Sequence, residues 1–176
     1  MILQGPRLLL RPPVAEDAAE LAAINGDPEA MRHFAQAMDR AESDAWLARI
    51  MAHHAAHGFG FWSVVRRDAP GLVGLVGLMH VGFEARFTPA VEIGWRIAPR
   101  HQRRGYAQEA AGLAIEAGFG PLAIEEIVAW TIPPNEPSWQ LMRKLGMAPD
   151  GEFDHPRLPE GHPKRRHLLY RIARPA

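Results

Sequence analysis

Six consecutive residues, Gln102-Arg103-Arg104-Gly105-Tyr106-Ala107, combine what is needed to hold an anion: two guanidinium groups, a glycine and the opening of a helical pattern. Behind them Ala110, Ala111, Ala114, Ile115, Ala117 and Gly118 recur at helical spacing, giving a helix slim enough to lie close on a sheet. The first N–H groups of a helix have no partner inside it, and its aligned peptide dipoles favour negative charge there by about 0.3–1 kcal/mol per charge. Gly105 permits close backbone approach or a positive φ, and Arg100, Arg103 and Arg104 add positive charge around it. The pattern predicts a phosphate seat. A second polar group, Asn135 and Ser138, offers amide donors, a carbonyl acceptor and a hydroxyl. His53 and His57 have the i, i+4 spacing of metal ligands on a helix, but the sequence places no third ligand and no zinc-protease glutamate between them, so no metal is expected.

These groups need elements to position them. Val91, Ile93, Trp95 and Ile97 alternate, as expected of a strand with one packed side; Glu92 falls on the opposite face and Pro99 ends the run. Upstream, Arg7 to Arg11 reads as a short strand stopped by Pro12-Pro13, and Glu16-Asp17 opens a helix carrying Leu21 and Ile24. A brief second helix holds Met31 and Phe34, and Ser43 caps a longer one bearing Trp46, Leu47, Ile50 and Met51. Gly60 to Arg67 and Gly71 to His80 form an antiparallel hairpin, and Ile127 to Thr131 is a further buried strand. After Pro133-Pro134, Ser138 stands as the N-cap of a short helix; Gly151 to Arg165 reads as a long loop, and Leu168 to Ile172 as the last strand. The expected architecture is α/β (α+β): a mixed, mostly antiparallel central sheet with helices on both faces, in one domain over residues 1–176.

With 176 residues the chain can bury roughly two thirds of its unfolded surface without disulfides, and it has no cysteine to form them. The absence of cysteine also excludes thiolate metal sites and a cysteine nucleophile. Twenty acidic against twenty Lys and Arg residues give a formal net charge of zero, which argues against a dedicated nucleic-acid binder. No apolar run approaches the ~20 residues that span a bilayer, and no secretion signal opens the chain, so a cytoplasmic protein without a membrane partner is expected.

The Gln102 to Ala107 run resembles the Gln/Arg-x-x-Gly-x-Gly/Ala signature of the GCN5-related N-acetyltransferases. Asn135 to Met147 is similar to the same family's Asn-x-x-Ser/Ala segment and the short helix after it. Arg7 to Pro12 and Gly161 to Ile172 resemble the branch that acetylates the N-terminal amine of ribosomal proteins, so the likeness spans nearly the whole chain. It implies acetyl-coenzyme A as cosubstrate, with the backbone of Gln102 and Arg103 to Ala107 around its pyrophosphate. Asn135, Ser138 and the backbone of Ile97 and Ala98 would meet the pantetheine arm.

Acetyl transfer to an amine needs a base, a polarised carbonyl and a proton for the departing thiolate. Glu92 is the candidate base. Met142 stands where the family places an acidic tyrosine, so Ser138 or water would supply the thiolate proton, with Tyr170 a more distant candidate. The expected acceptor is a primary amine on a protein N-terminus or a small molecule, attacked directly in a ternary complex by a monomer or homodimer. A polyamine or aminoglycoside would favour an acidic pocket, for which Glu84, Glu152 and Asp154 are candidates. His155, His162 and His167 are placed either at the acceptor mouth or on a solvated loop, and Trp46 and Trp139 where substrate passes. The competing reading is a non-catalytic coenzyme A-binding sensor or interaction module, motivated by the missing tyrosine.

Overall fold

The computed structural model describes residues 1–175. Alternating apolar residues at Leu8 and Leu10, Trp62 and Val64, and Val91, Ile93 and Ile97 turn a common side inward. They build one eight-stranded sheet in the order β1-β2-β3-β4-β5-β6-β8-β7. The strands are β1 Leu3–Gln4, β2 Leu8–Arg11, β3 Phe61–Arg66, β4 Leu72–His80, β5 Val91–Ile97, β6 Glu126–Thr131, β7 Ala148–Asp154 and β8 Arg166–Ala173. Every neighbouring pair is antiparallel except β5 and β6.

Helices cover both faces. Helix α4 (Tyr106–Phe119) lays Ala110, Ala111, Ala114 and Ile115 on Leu8, Val76, Leu78 and Ile93, the side chains being small enough for close approach. On the other face, α1 (Ala18–Asn25) and α3 (Arg40–His57) bury Leu21, Ile24, Leu47 and Ile50 against Leu72 and Leu75. The short α2 (Pro28–Met31) lies between them in the chain, and α5 (Glu136–Lys144) follows β6. A third cluster, Phe87, Val128, Phe153 and Leu169 with Phe83 and Trp130, closes the β6-β8-β7 end.

Several local expectations are corrected. Ser43 is not a cap: Asp39 caps α3 in a capping box with Glu42, while Ser43 lies inside the helix, where its buried hydroxyl accepts from Asn25. Ser138 is not a cap either, because Pro137 fits the first turn and α5 begins at Glu136, after Asn135. Phe34 lies beyond the end of α2. The expected loop from Gly151 contains most of β7, an edge strand whose acids are held by arginines: Asp150 by Arg171, Glu152 by Arg166. The pairing slips between Pro149 and Glu152, around Gly151 at φ 82°.

One polar knot fastens the N-terminal strands to the sheet. The Asp17 carboxylate accepts two bonds from the Arg11 guanidinium at 2.6 and 2.8 Å, one from the Ser63 hydroxyl at 2.7 Å and one from the Val14 amide at 3.1 Å. Burial pushes this carboxyl up, but the bonds from Arg11 and Ser63 outweigh it and hold it below the ordinary range. Its contribution to stability is full above the unfolded-state carboxylate range and vanishes as pH falls through the lower, folded value. Asp17→Asn should cost about 3 kcal/mol at neutral pH, lowering the unfolding temperature by roughly 8 °C. Thermal melts at a series of pH values should show the gap from the parent narrowing in acid.

Candidate active site

The site begins where two strands part. β5 and β6 keep register only at Val91 opposite Ile127 and Glu92 opposite Val128. Beyond those pairs the strands separate, and a cleft of about 820 Å³ opens between them, lined on one side by Ile93 to Ile97 and on the other by Trp130, Thr131 and Ile132. Ala98 donates to Val73 of β4 at 2.9 Å. Because an antiparallel strand alternates the direction of its peptide groups, those of Trp95 and Ile97 point the other way, into the gap. An extended, peptide-like molecule can therefore pair with this free edge.

The turn after β5 presents the anion seat. Residues Pro99–His101 make one 3₁₀ turn, Arg103 and Gly105 both take left-handed conformations at φ 60° and 77°, and α4 starts at Tyr106. A residue with a Cβ at Gly105 would be strained, and that Cβ would lie 3.3 Å from the Arg7 guanidinium. The backbone N–H groups of Arg103 to Gln108 meet no acceptor among the described residues: after Gln102 to Pro99, the next backbone bond is Glu109 to Gly105. They form a nest of donors at a helix N-terminus. Arg7, just ahead of β2, braces it, donating to the Arg104 carbonyl and to Glu109 and lying 4.9 Å above the Tyr106 ring.

Most of the residues singled out in the sequence converge here. Glu92, Ile97, Gln102, Arg103, Gly105, Tyr106, Ala107, Asn135 and Ser138 all line the cleft. Gln102 contributes more than its backbone, since its side-chain amide donates to the Ile97 carbonyl at 3.0 Å and fastens the loop to the strand. Asn135 donates to the Thr131 hydroxyl at 2.8 Å, leaving its amide oxygen without a protein donor among the described residues. Three residues stand apart. Ala98 is buried under α1 and α3 with both backbone groups spent, on Val73 and His101, so it has nothing to offer a ligand. Arg104 does not line the cleft, and Arg100 turns back towards Glu20 and the Leu72 carbonyl.

Glu92 is half-buried in the cleft wall. Loss of water around the carboxyl pushes it up to about 7, against the opposing pull of Arg157 and Arg49. It can accept a proton near neutrality. Ser138 is buried within α5, and its hydroxyl has no protein hydrogen-bond partner among the described residues. Met142 is packed into the core with 1% exposure and carries no acidic proton. Tyr170 is buried in β8 and does not line the cleft.

The cleft also contains residues the sequence did not single out, Arg96, His33, Arg157, Lys164 and Leu158. Arg96 reaches in from β5, its guanidinium 4.3 Å from the Phe34 ring and 4.4 Å from that of Trp46. His33, Arg157, Lys164 and Leu158 line the same end, with His155 and His167. Desolvation, His167 and Arg157 push His155 down to about 4, so it is neutral at pH 7. Trp95 and Trp130 face the cleft beside Trp46, whereas Trp139 stands outside, donating to the Pro133 carbonyl. Glu84, Glu152 and Asp154 do not gather there. Away from the cleft, His80 of β4 joins His53 and His57, with ligand atoms within 4.8 Å of one another. His53 bonds the Phe59 carbonyl with one ring nitrogen and His80 with the other, so the rings interlock as a clamp between α3 and β4.

The acetyltransferase (GNAT) domain model matches residues 7–148, from the arginine that braces the nest to the start of β7. The chain belongs to the GNAT family of acetyltransferases. An N-acetyltransferase of Bacillus subtilis, YoaA, is 30% identical over 85% of this GNAT chain and 84% of its own. The spermidine N(1)-acetyltransferase of Escherichia coli K12 is 29% identical over 83% and 75%. Among solved structures, a GNAT acetyltransferase from Bacillus anthracis superimposes with a TM-score of 0.82 at 24% identity, covering 99% of both chains. The ribosomal-protein-S5-alanine acetyltransferase of Vibrio fischeri gives 0.77 at 17% identity over 99% and 97%. Acetyl-coenzyme A is the cosubstrate expected across this family, and an open strand edge leading to a nest of donors fits its pantetheine arm and diphosphate. Among the described residues no helix is long and apolar enough to cross a membrane. Gly105→Val should weaken acetyl-coenzyme A binding at least about tenfold while leaving the fold intact; calorimetric titration beside a circular dichroism spectrum measures both.

Proposed function

We propose that the protein transfers the acetyl group of acetyl-coenzyme A directly to a primary amine in a ternary complex, with Glu92 as the base. The observation that carries this reading is a carboxyl pushed up to about 7 in the wall of a cleft that also holds an anion nest and a free strand edge. Such a group is ionised often enough at neutral pH to take a proton and basic enough to hold it.

The steps balance without a covalent enzyme intermediate. Glu92, directly or through water, removes a proton from the ammonium form of the acceptor. The amine nitrogen then bonds to the thioester carbonyl carbon, whose oxygen is polarised by a strand N–H; the C–S bond breaks, the thiolate takes a proton from the Ser138 hydroxyl or from water, and the second proton lost by the attacking nitrogen as the amide forms restores that hydroxyl or water. Arg103 to Ala107 hold the diphosphate with their backbone donors. Ile97 and Asn135 meet the pantetheine amides. Trp95, whose peptide also faces the gap, joins them. Met142 has no proton to give the thiolate, which supports Ser138 or solvent in that role. Protein N-termini and small amines both remain within the reach of this chemistry, since relatives with either acceptor in their names share the fold or a quarter or more of the sequence.

The active form of the base is the carboxylate, so kcat/KM should rise with pH to a plateau above about 7. Glu92→Gln should remove that acidic limb and lower turnover about 10²–10⁴-fold, in a pH–rate profile followed by free-thiol release. An unchanged acidic limb would remove Glu92 from the mechanism. Ser138→Ala, assayed at saturating acetyl-coenzyme A, should lower kcat if the hydroxyl protonates the thiolate and leave it unaltered if water does.

A further inference from the structure

The far end of the cleft has an uneven charge distribution in a chain whose formal net charge is zero. Elsewhere many of the arginines are matched: Arg7, Arg11, Arg40, Arg66, Arg86, Arg166, Arg171 and Arg174 each hold a carboxylate within 4.0 Å, whereas Arg49, Arg67, Arg104 and Arg143 have none among the described residues. At the cleft, Arg32, Arg96, Arg157 and Lys164 have no such partner among the described residues, and only Glu29 and Glu92 share the lining with them. Lys164 also donates to the backbone carbonyls of Arg32 and Phe34, joining the β7–β8 connection to the segment after α2 as a roof.

Arg96 is the least explained of these cations. It is 8% exposed, and its charge persists at neutral pH although desolvation draws it down to about 10. A buried charge ordinarily has an ionic partner, because its lost hydration must be replaced. Arg96 has the two aromatic faces of Phe34 and Trp46 and a single hydrogen bond, to the Asn25 side-chain oxygen. Its Nε is buried without an acceptor, and Nη2 also lacks one. Aromatic stacking fixes the plane of a guanidinium while leaving its edge donors free.

Resting on the acetyl-transfer reading above, we propose that the acceptor carries a carboxylate on the same molecule as its reacting amine. Arg96, stacked between Phe34 and Trp46, recognises that carboxylate, and Arg32, Arg157 and Lys164 draw it in. Along β5, Glu92 and Arg96 are four residues apart on one face, about 13 Å at the backbone at ~3.3 Å per residue. Long side chains shorten that span, so an amine near Glu92 and a carboxylate near Arg96 can belong to one compact substrate. A polycation is the wrong partner for this surface. The protein should therefore differ in acceptor preference from its relative named for spermidine. The carboxylate can come from an amino acid or from an acidic side chain near a peptide N-terminus; the two sources share the recognition chemistry.

The test is free-thiol release with paired acceptors: peptides with Asp or Asn at the second position, amino acids against their methylamides, and spermidine. The carboxylate member of at least one pair should have about tenfold or greater kcat/KM, carried mainly by KM, and the advantage should shrink in high salt. Which pair shows it identifies the source. Arg96→Gln should bring the ratio close to one. Should that variant fail to fold, the exposed double change Arg32→Gln with Arg157→Gln should still reduce the ratio severalfold. Preference for spermidine or the neutral partners, or a ratio that survives these changes, overturns the carboxylate proposal while leaving acetyl transfer standing. Acetyl-coenzyme A binding without transfer to any amine tested overturns both.

Discussion

Everything at the cleft depends on one failure of pairing. If β6 followed β5 over its whole length, the peptide groups of Trp95 and Ile97 would be consumed by the sheet. The strands hold together at Val91 and Glu92, and the gap beyond is kept open by the elements at its mouth. Gln102 ties the loop back to Ile97, and Asn135 ties the start of α5 to Thr131 at the tip of β6. The third cluster, around Val128 and Leu169, anchors β6 to β8. Unsatisfied backbone is costly when buried, so an open parallel edge persists where water or a ligand can satisfy it.

Charge is allocated with comparable economy. The acids of β7 hold their arginines at the surface and Asp17 holds Arg11 in a largely buried pair, while the cleft retains cations without ion-pair partners beside a carboxyl forced upward by desolvation. The same loss of water that makes Glu92 more basic leaves Arg96 dependent on ring faces and on Asn25. Ser43 completes that chain by bonding Asn25 from α3. A polar line therefore runs from the helix layer to the cleft wall, and it constrains where the segment carrying Phe34 can lie.

Much of this was readable from local pattern. The alternation of Val91, Ile93 and Ile97 and the small face of α4 are short-range signals, and the structure has both. Glu92 could be assigned to the opposite face by counting. The caps were read less well: Asp39 and Glu42 form a capping box visible in the sequence, but Ser43 stands closer to the apolar run and its partner is eighteen residues away. β7 was hidden because an edge strand carrying Pro149, Gly151 and alternating acids has the composition of a loop, and only Phe153 marks its buried side. Arg96 carries no signal of its own in the sequence. Its setting needs Phe34, Trp46 and Asn25, contributed by three separate segments, and no spacing rule reaches that far. His80 was likewise invisible beside His53, being placed by a different element.

The two ends of the sheet have a consequence for self-association. At one margin β1 offers only Leu3 and Gln4; at the other, β7 is kinked at Gly151, interrupted by Pro149 and lined with Asp150, Glu152 and Asp154. Neither border presents the long, flat run of free amides onto which another chain could graft a strand. The fold can thus leave one internal seam unzipped for chemistry while both of its outer hems stay resistant to fibrous stacking.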